Sequence, residues 1–211
     1  MERTETQQTG IQNTLIWILG FIALIVGVFL YSFLTPRALS EEKLRSLGYY
    51  GFQPSREISE FELVNHTGEM VTLEQLRGTW SLIFFGFTSC PEFCPTTLGV
   101  LNRAMQEVEH KPQVIMVSVD PDFDTVARLS RYVPSFNKEF IGYTGEYQQV
   151  VSLATQLNVA FGRVPGREPE TYTVDHSVSI AVVDPEGRYA GIIKAPHQTR
   201  NISQILNTLM L

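Results

Sequence analysis

An α/β fold, with a mixed central sheet flanked by helices and one N-terminal transmembrane helix ahead of it, is predicted by three observations on this 211-residue sequence. One uncharged apolar stretch lies near the start. After it, short apolar runs alternate with segments whose apolar residues recur every three or four positions. Turn residues mark each change of period. A hydrophobic content of 44% is enough to close a core in one domain. The formal charge of −6 and the lack of Lys and Arg clusters exclude nucleic-acid binding through a basic field.

The apolar stretch is Thr14 to Leu34, 21 residues without a charge. At about 1.5 Å per residue it reaches roughly 31 Å as a helix, the depth of a bilayer core. Trp17 and Tyr31 near its ends suit the two membrane interfaces. Leu34-Thr35-Pro36-Arg37 offers no small-x-small cleavage site, and no cysteine follows closely to carry a lipid. The expectation is an uncleaved single-span anchor at 14–34 behind a short tail at 1–13. Arg3 precedes the span and Arg37, Lys43 and Arg45 follow it, a count that mildly favours a cytoplasmic C-terminal domain.

Residues 35–59 read as a linker with a short helical stretch around Glu41 to Arg45, and 60–211 as the folded domain. Phe61 to Val64 and Met70 to Leu73 flank Asn65-His66-Thr67-Gly68, a hairpin turn. Trp80 to Phe87 is continuously apolar, as a central strand covered on both faces must be. Leu98, Leu101, Met105 and Val108 then mark one face of a helix, with Pro95 suited to its first turn. Val114 to Val119 is a second buried strand, and helices follow at about Thr125 to Arg131 and Glu146 to Leu157. Val178 to Val183 and Arg188 to Lys194 are strands joined by Asp184-Pro185-Glu186-Gly187. A last helix carries Ile202, Ile205, Leu206 and Leu209 on one stripe. This succession of elements is the thioredoxin order.

Both cysteines of the chain fall in Cys90-Pro91-Glu92-Phe93-Cys94, between a buried strand and a helix start. Amides at a helix N-terminus favour the thiolate, the form that attacks disulfides and binds metals. A structural disulfide is a weaker reading, because so short a loop restricts the unfolded chain by only about 2 kcal/mol or less. Two sulfurs alone under-coordinate most metals, which raises the question of which histidine could join them. His66 in the hairpin turn, His110 beside Lys111 and His197 before the last helix read as ordinary exposed residues. His176 stands directly ahead of the buried strand at Val178, on a loop that faces the cysteine turn in a thioredoxin-like sheet. Position alone leaves it open between ligand and structural residue.

The stretch Phe85-Gly86-Phe87-Thr88-Ser89-Cys90-Pro91-Glu92-Phe93-Cys94-Pro95-Thr96-Thr97-Leu98 closely resembles the signature of the Sco/SenC family. Val117-Ser118-Val119-Asp120-Pro121 and Val174-Asp175-His176-Ser177 resemble that family's other two motifs, and Asp184-Pro185-Glu186-Gly187 its later turn. The likeness runs from about Phe61 to the C-terminus. It implies a thioredoxin-like, copper-binding assembly factor for cytochrome c oxidase, with Cys90, Cys94 and His176 as metal ligands. The family usually has Arg and Pro where Phe123 and Val126 stand here, which touches the surroundings of the site and not its ligands.

Two thiolates and one imidazole form a soft, near-trigonal donor set for Cu(I), with Cu(II) as a second state, whereas tetrahedral zinc wants a fourth ligand. Asp175, Asp120 and Asp124 are candidates for tuning the site from outside. If the strand after His176 aligns with the one that follows the cis-proline of redox thioredoxins, Val178 takes the proline's place. The gap then admits a metal and lets His176 approach the sulfurs.

The resemblance implies a metallochaperone that passes copper to the binuclear copper site of cytochrome c oxidase subunit II. The alternatives are a thiol-disulfide reductase that keeps the recipient's cysteines reduced, with Cys90 and Cys94 as its catalytic pair, and a redox or copper sensor. Partners implied are subunit II, the membrane through the anchor, and a thiol reductant or copper donor, with no nucleic acid. These roles place the domain in the periplasm of a bacterial inner membrane, against the charge count.

Overall fold

The computed structural model describes residues 2–34, 38–165 and 172–211. Two compact units emerge, one within residues 1–38 and the other from Leu39 to Met210. The first is a single helix, α1 (Glu2–Leu34). Its stretch Leu15–Ser32 is long and apolar enough to cross a membrane, and none of it is buried by protein.

The second unit opens with α2 (Glu41–Ser46), whose N-cap Ser40 accepts from the Lys43 amide, and β1 (Tyr49–Arg56). Next come β2 (Leu63–Asn65), β3 (Met70–Val71), β4 (Ser81–Gly86), α3 (Phe93–Ala104) and β5 (Gln113–Ser118). They are followed by α4 (Val126–Tyr132), β6 (Ile141–Thr144), α5 (Tyr147–Gln156), β7 (Phe161–Pro165) and β8 (Tyr172–His176). The chain closes with β9 (Ile180–Val183), β10 (Tyr189–Ile193) and α6 (Thr199–Leu209).

Eight strands form one sheet in the order β1-β10-β9-β4-β5-β6-β2-β3. The neighbours β4, β5 and β6 run parallel, and the other pairs are antiparallel. All six residues of β4 are buried, which is why that segment reads as an unbroken apolar run. The helical periodicity of Leu98, Leu101, Met105 and Val108 is met by burial of all four. α3 and α6 pack side by side, and Ser203 of α6 donates to the Glu107 carboxylate at 2.7 Å. The mixed sheet flanked by helices, with its apolar N-terminal helix, agrees with the fold expected from sequence.

Three segments differ from that expectation. Tyr49–Arg56, read as part of the linker at 35–59, is a strand paired antiparallel with β10. Gly51 and Pro54 mask it in the sequence, and a proline without a ladder donor is tolerated here because the strand is at an edge and its register shifts between Gly51 and Arg56. β6 is four residues long and carries Gly142, too short to show a period. β7 and β8 form a separate two-stranded ribbon, and β7 is half-buried to exposed throughout. Without a covered face, its residues carry no alternation to read.

The edge strand is seated by one tyrosine over two glycines. Tyr49 is buried and its hydroxyl donates to the Ala190 carbonyl at 3.3 Å. A Cβ on Gly191 would lie 2.6 Å from the Tyr50 carbonyl oxygen and 2.8 Å from the Tyr49 ring. Gly191→Ala therefore separates β1 from β10, and denaturant unfolding of the full chain in detergent should show a loss of about 2 kcal/mol. An unchanged midpoint refutes this account of the edge.

Candidate metal centre

The site is built where β4 ends. Past Gly86 the chain turns through Phe87 to Glu92 and enters α3, with the Cys90 amide donating to the Phe87 carbonyl at 3.2 Å. Glu92, at the N-cap, supplies no side-chain cap. The Cys94 amide instead donates to Cys90 Sγ at 3.4 Å, so a sulfur satisfies one of the open amides of the helix start. Cys94 is fully buried, Cys90 is 8% exposed, and both are free thiols. A Cβ on Gly86 would lie 2.9 Å from Cys94 Sγ and 2.8 Å from the Phe84 ring, so glycine there leaves the space the sulfur fills.

The turn before Cys90 is held from the side. Asp124, fully buried in the loop after β5, accepts from the Thr88 amide at 2.9 Å, from the Thr88 hydroxyl, and from Ser118 Oγ at 2.7 Å. A buried carboxylate is tolerable only with such hydrogen bonds, and these lock the loop two residues ahead of Cys90.

His176, the last residue of β8, brings Nε2 to 3.6 Å from Cys94 Sγ. Its Nδ1 lies 3.0 Å from the Ser177 carbonyl oxygen, which can only accept. The proton therefore sits on Nδ1 and the Nε2 lone pair faces the sulfurs. The rings of Phe84 and Phe87 stand edge-on to the imidazole at 6.0 and 5.9 Å, confining its tilt. Burial lowers the His176 pKa from its ordinary 6.5, against the Ser177 hydrogen bond and Asp175, so the ring is neutral at pH 7. Burial, aided by Cys90 and opposed by a backbone hydrogen bond with Phe87, pushes the Cys94 thiol well above the ordinary range.

Cys90 Sγ, Cys94 Sγ and a ring nitrogen of His176 all lie within 4.8 Å of one another. Ligands held at about 2.0–2.3 Å around a trigonal metal sit roughly 3.5–4 Å apart, so small movements close this triangle. Among the described residues no other His, Cys, Asp or Glu joins the group. Asp124 is near enough to act on Cys94 electrostatically, but its oxygens are engaged by Thr88 and Ser118. Three soft-to-borderline donors without a fourth suit Cu(I) better than zinc.

The three residues singled out in the sequence thus meet in space, and the other histidines do not join them. His110 is exposed as expected, whereas His66 and His197 are half-buried. His66 Nδ1 accepts from the Gly142 amide at 3.1 Å and His197 Nε2 lies 3.3 Å from the Ile193 carbonyl, both structural roles. Asp175 is exposed, and the outer partner of His176 is the Ser177 carbonyl. Val178 lines a cavity of about 500 Å³ with Phe93, Thr96 and Thr97, beside the cysteine turn. Sequence reasoning missed Tyr132, which ends α4. Burial and then the charges of Cys94, Cys90 and Asp124 push its phenol up, and its buried hydroxyl has no hydrogen-bond partner among the described residues. A tyrosine at the end of a short helix carries no signal of such a place.

A family model described as SCO1/SenC matches residues 52–211. An SCO2-like protein of Rickettsia conorii is 34% identical over 185 residues, 85% of this chain and 89% of that protein. The Arabidopsis thaliana ScoI structure with copper bound is 28% identical with a TM-score of 0.67, covering 72% of this chain and 98% of that one. The Bradyrhizobium japonicum ScoI structure with copper bound is 30% identical with a TM-score of 0.63, covering 70% and 96%.

The Gly86 contact gives a direct check on the centre. Gly86→Ala should displace Cys94 Sγ and weaken Cu(I) binding by about tenfold or more, with the far-UV circular dichroism retained. Wild-type affinity in that variant, measured against a competing chelator, contradicts the packing described.

Proposed function

This chain belongs to the SCO1/SenC family, and on that premise we propose that it is a membrane-anchored copper metallochaperone using Cys90, Cys94 and His176. The observation that carries the reading is the closure of these three donors to within 4.8 Å in a site with no fourth ligand among the described residues. The copper-bound relatives support the same cargo. The family's link to cytochrome c oxidase supplies the recipient we propose, the binuclear copper site of subunit II. We take 14–34 as the anchor and the unit from Leu39 onward as the copper-binding domain. The domain faces the periplasm of a bacterial inner membrane, where a tether raises its effective concentration near a membrane-bound recipient.

In this reading the cargo leaves by ligand exchange. Cys90 is the sulfur nearer the surface and the first that an incoming thiolate replaces, while the neutral His176 detaches without taking up a proton. Cys94, sealed in the core, holds last. The unequal exposure of the two cysteines also suits a thiol-disulfide reductase, in which Cys90 attacks and Cys94 resolves the mixed disulfide.

Anaerobic Cu(I) competition with the wild type, His176→Ala and Cys94→Ser decides between them. One-to-one binding that weakens about tenfold or more without His176 fits the chaperone, and binding indifferent to His176 moves the function to thiol exchange. Apparent affinity should rise about tenfold per pH unit between pH 6.5 and 8 for each thiol proton displaced, Cys94's included. The sign follows from the raised Cys94 pKa, and His176 adds no proton in that window because its own is lowered. A flat profile rules out a protonated Cys94 in the apo state. A reporter fused after Leu211 should be active outside the cytosol, and activity confined to the cytosol overturns the placement.

A further inference from the structure

His176 reaches the sulfurs from a weakly supported element. Among the described residues β7 and β8 pair only with each other, and an isolated two-stranded ribbon is marginal in water. Its base is tied by the Ser177 amide donating to the Ala160 carbonyl at 2.9 Å, by Val174 in the core, and by an edge contact of Phe161 with Tyr147. The register opposes Phe161 to His176 and Arg163 to Val174, so Arg163 stands two pairs along the ribbon from the ligand.

Arg163 is where the ribbon meets the loop after β5. Its Nη2 donates to Asp120 Oδ1 at 2.9 Å and to Asp122 Oδ2 at 2.6 Å. Asp120 is 2% exposed and Asp122 is open to solvent. The same loop returns through the Asp124 amide, which donates to the Asp120 carbonyl at 2.8 Å, to the carboxylate that fixes Thr88 ahead of Cys90. One unbroken path of hydrogen bonds and backbone therefore joins the cysteine turn to the histidine ribbon.

We propose that Arg163 is a positioning residue, an ionic latch from the β7–β8 ribbon to Asp120 and Asp122 that holds His176 Nε2 over the sulfurs. The inference rests on the copper-site reading above. A desolvated carboxylate such as Asp120 has a strong preference for its cation partner, so the latch closes the ribbon in one position instead of merely decorating the surface. Its effect on metal binding passes wholly through His176.

The test is a double-mutant cycle in the full chain, with Cu(I) affinity measured by chelator competition for the wild type, Arg163→Gln, His176→Ala and the double variant. Arg163→Gln should weaken binding by about tenfold alone and by little once His176 is already removed. Arg163→Lys should recover part of the loss, and Asp122→Asn, which leaves the pair with the buried Asp120 intact, should show a smaller one. In the copper-free protein, hydrogen exchange of the 173–176 amides should quicken in Arg163→Gln while β4 and α3 stay protected. Wild-type affinity and exchange in Arg163→Gln overturn the latch. So does a loss that persists undiminished in the His176→Ala background, since that marks a merely structural role. If His176→Ala itself binds copper normally, the copper-site reading fails, and hydrogen exchange alone still decides whether Arg163 holds the ribbon.

Discussion

The constraint on which the site depends is the complete burial of β4. Its residues are covered on both faces and paired on both edges, with Phe85 opposite Val117 on one side and Phe84 opposite Ile180 on the other. Such a strand cannot slide or tilt without exposing several large apolar side chains at once. Its end is therefore a fixed point. Gly86 lies at that point, Cys94 Sγ packs directly on it, and α3 leaves from it at an angle set by its own buried face.

From that fixed point the two cysteines acquire different characters. Cys94 is sealed and carries the desolvation cost of any charge, while Cys90 sits at the rim with an amide of the helix start aimed at its sulfur. The imidazole arrives neutral because burial between Phe84 and Phe87 outweighs the Ser177 carbonyl, which favours the charged ring. Without metal, Cys94 and His176 add no charge to the core, which is the cheaper state for buried groups. A metal supplies the positive charge that lets the Cys94 thiol ionise there, so binding and its deprotonation are one event.

Most of this framework was legible in the sequence, and the reasons differ by element. β4, β5 and α3 announced themselves because burial on two faces or one stripe leaves a periodic trace in residue type. The cysteines were legible because there are only two and they flank a helix start. His176 was not legible by position, since a lone histidine before a strand has several ordinary explanations, and it rested on resemblance to a family motif. β1, β6 and the ribbon left no trace because they are edge, short or exposed. Arg163 was beyond reach for another reason. Asp120 and Asp122 lie 43 and 41 residues away, and an ion pair between a strand and a distant loop has no local signature.

The two ends of the large sheet bear on how such a domain behaves when crowded. One end is β1, interrupted by Gly51 and Pro54, and the other is β3, only two residues long. Neither offers a run of open backbone donors and acceptors long enough to recruit a strand from a second molecule. Open sheet margins are where cross-strand aggregation between copies of a crowded domain begins. Blunted margins of this kind keep the sheet from growing, so that encounters between neighbours end in separation instead of fibre-like assembly.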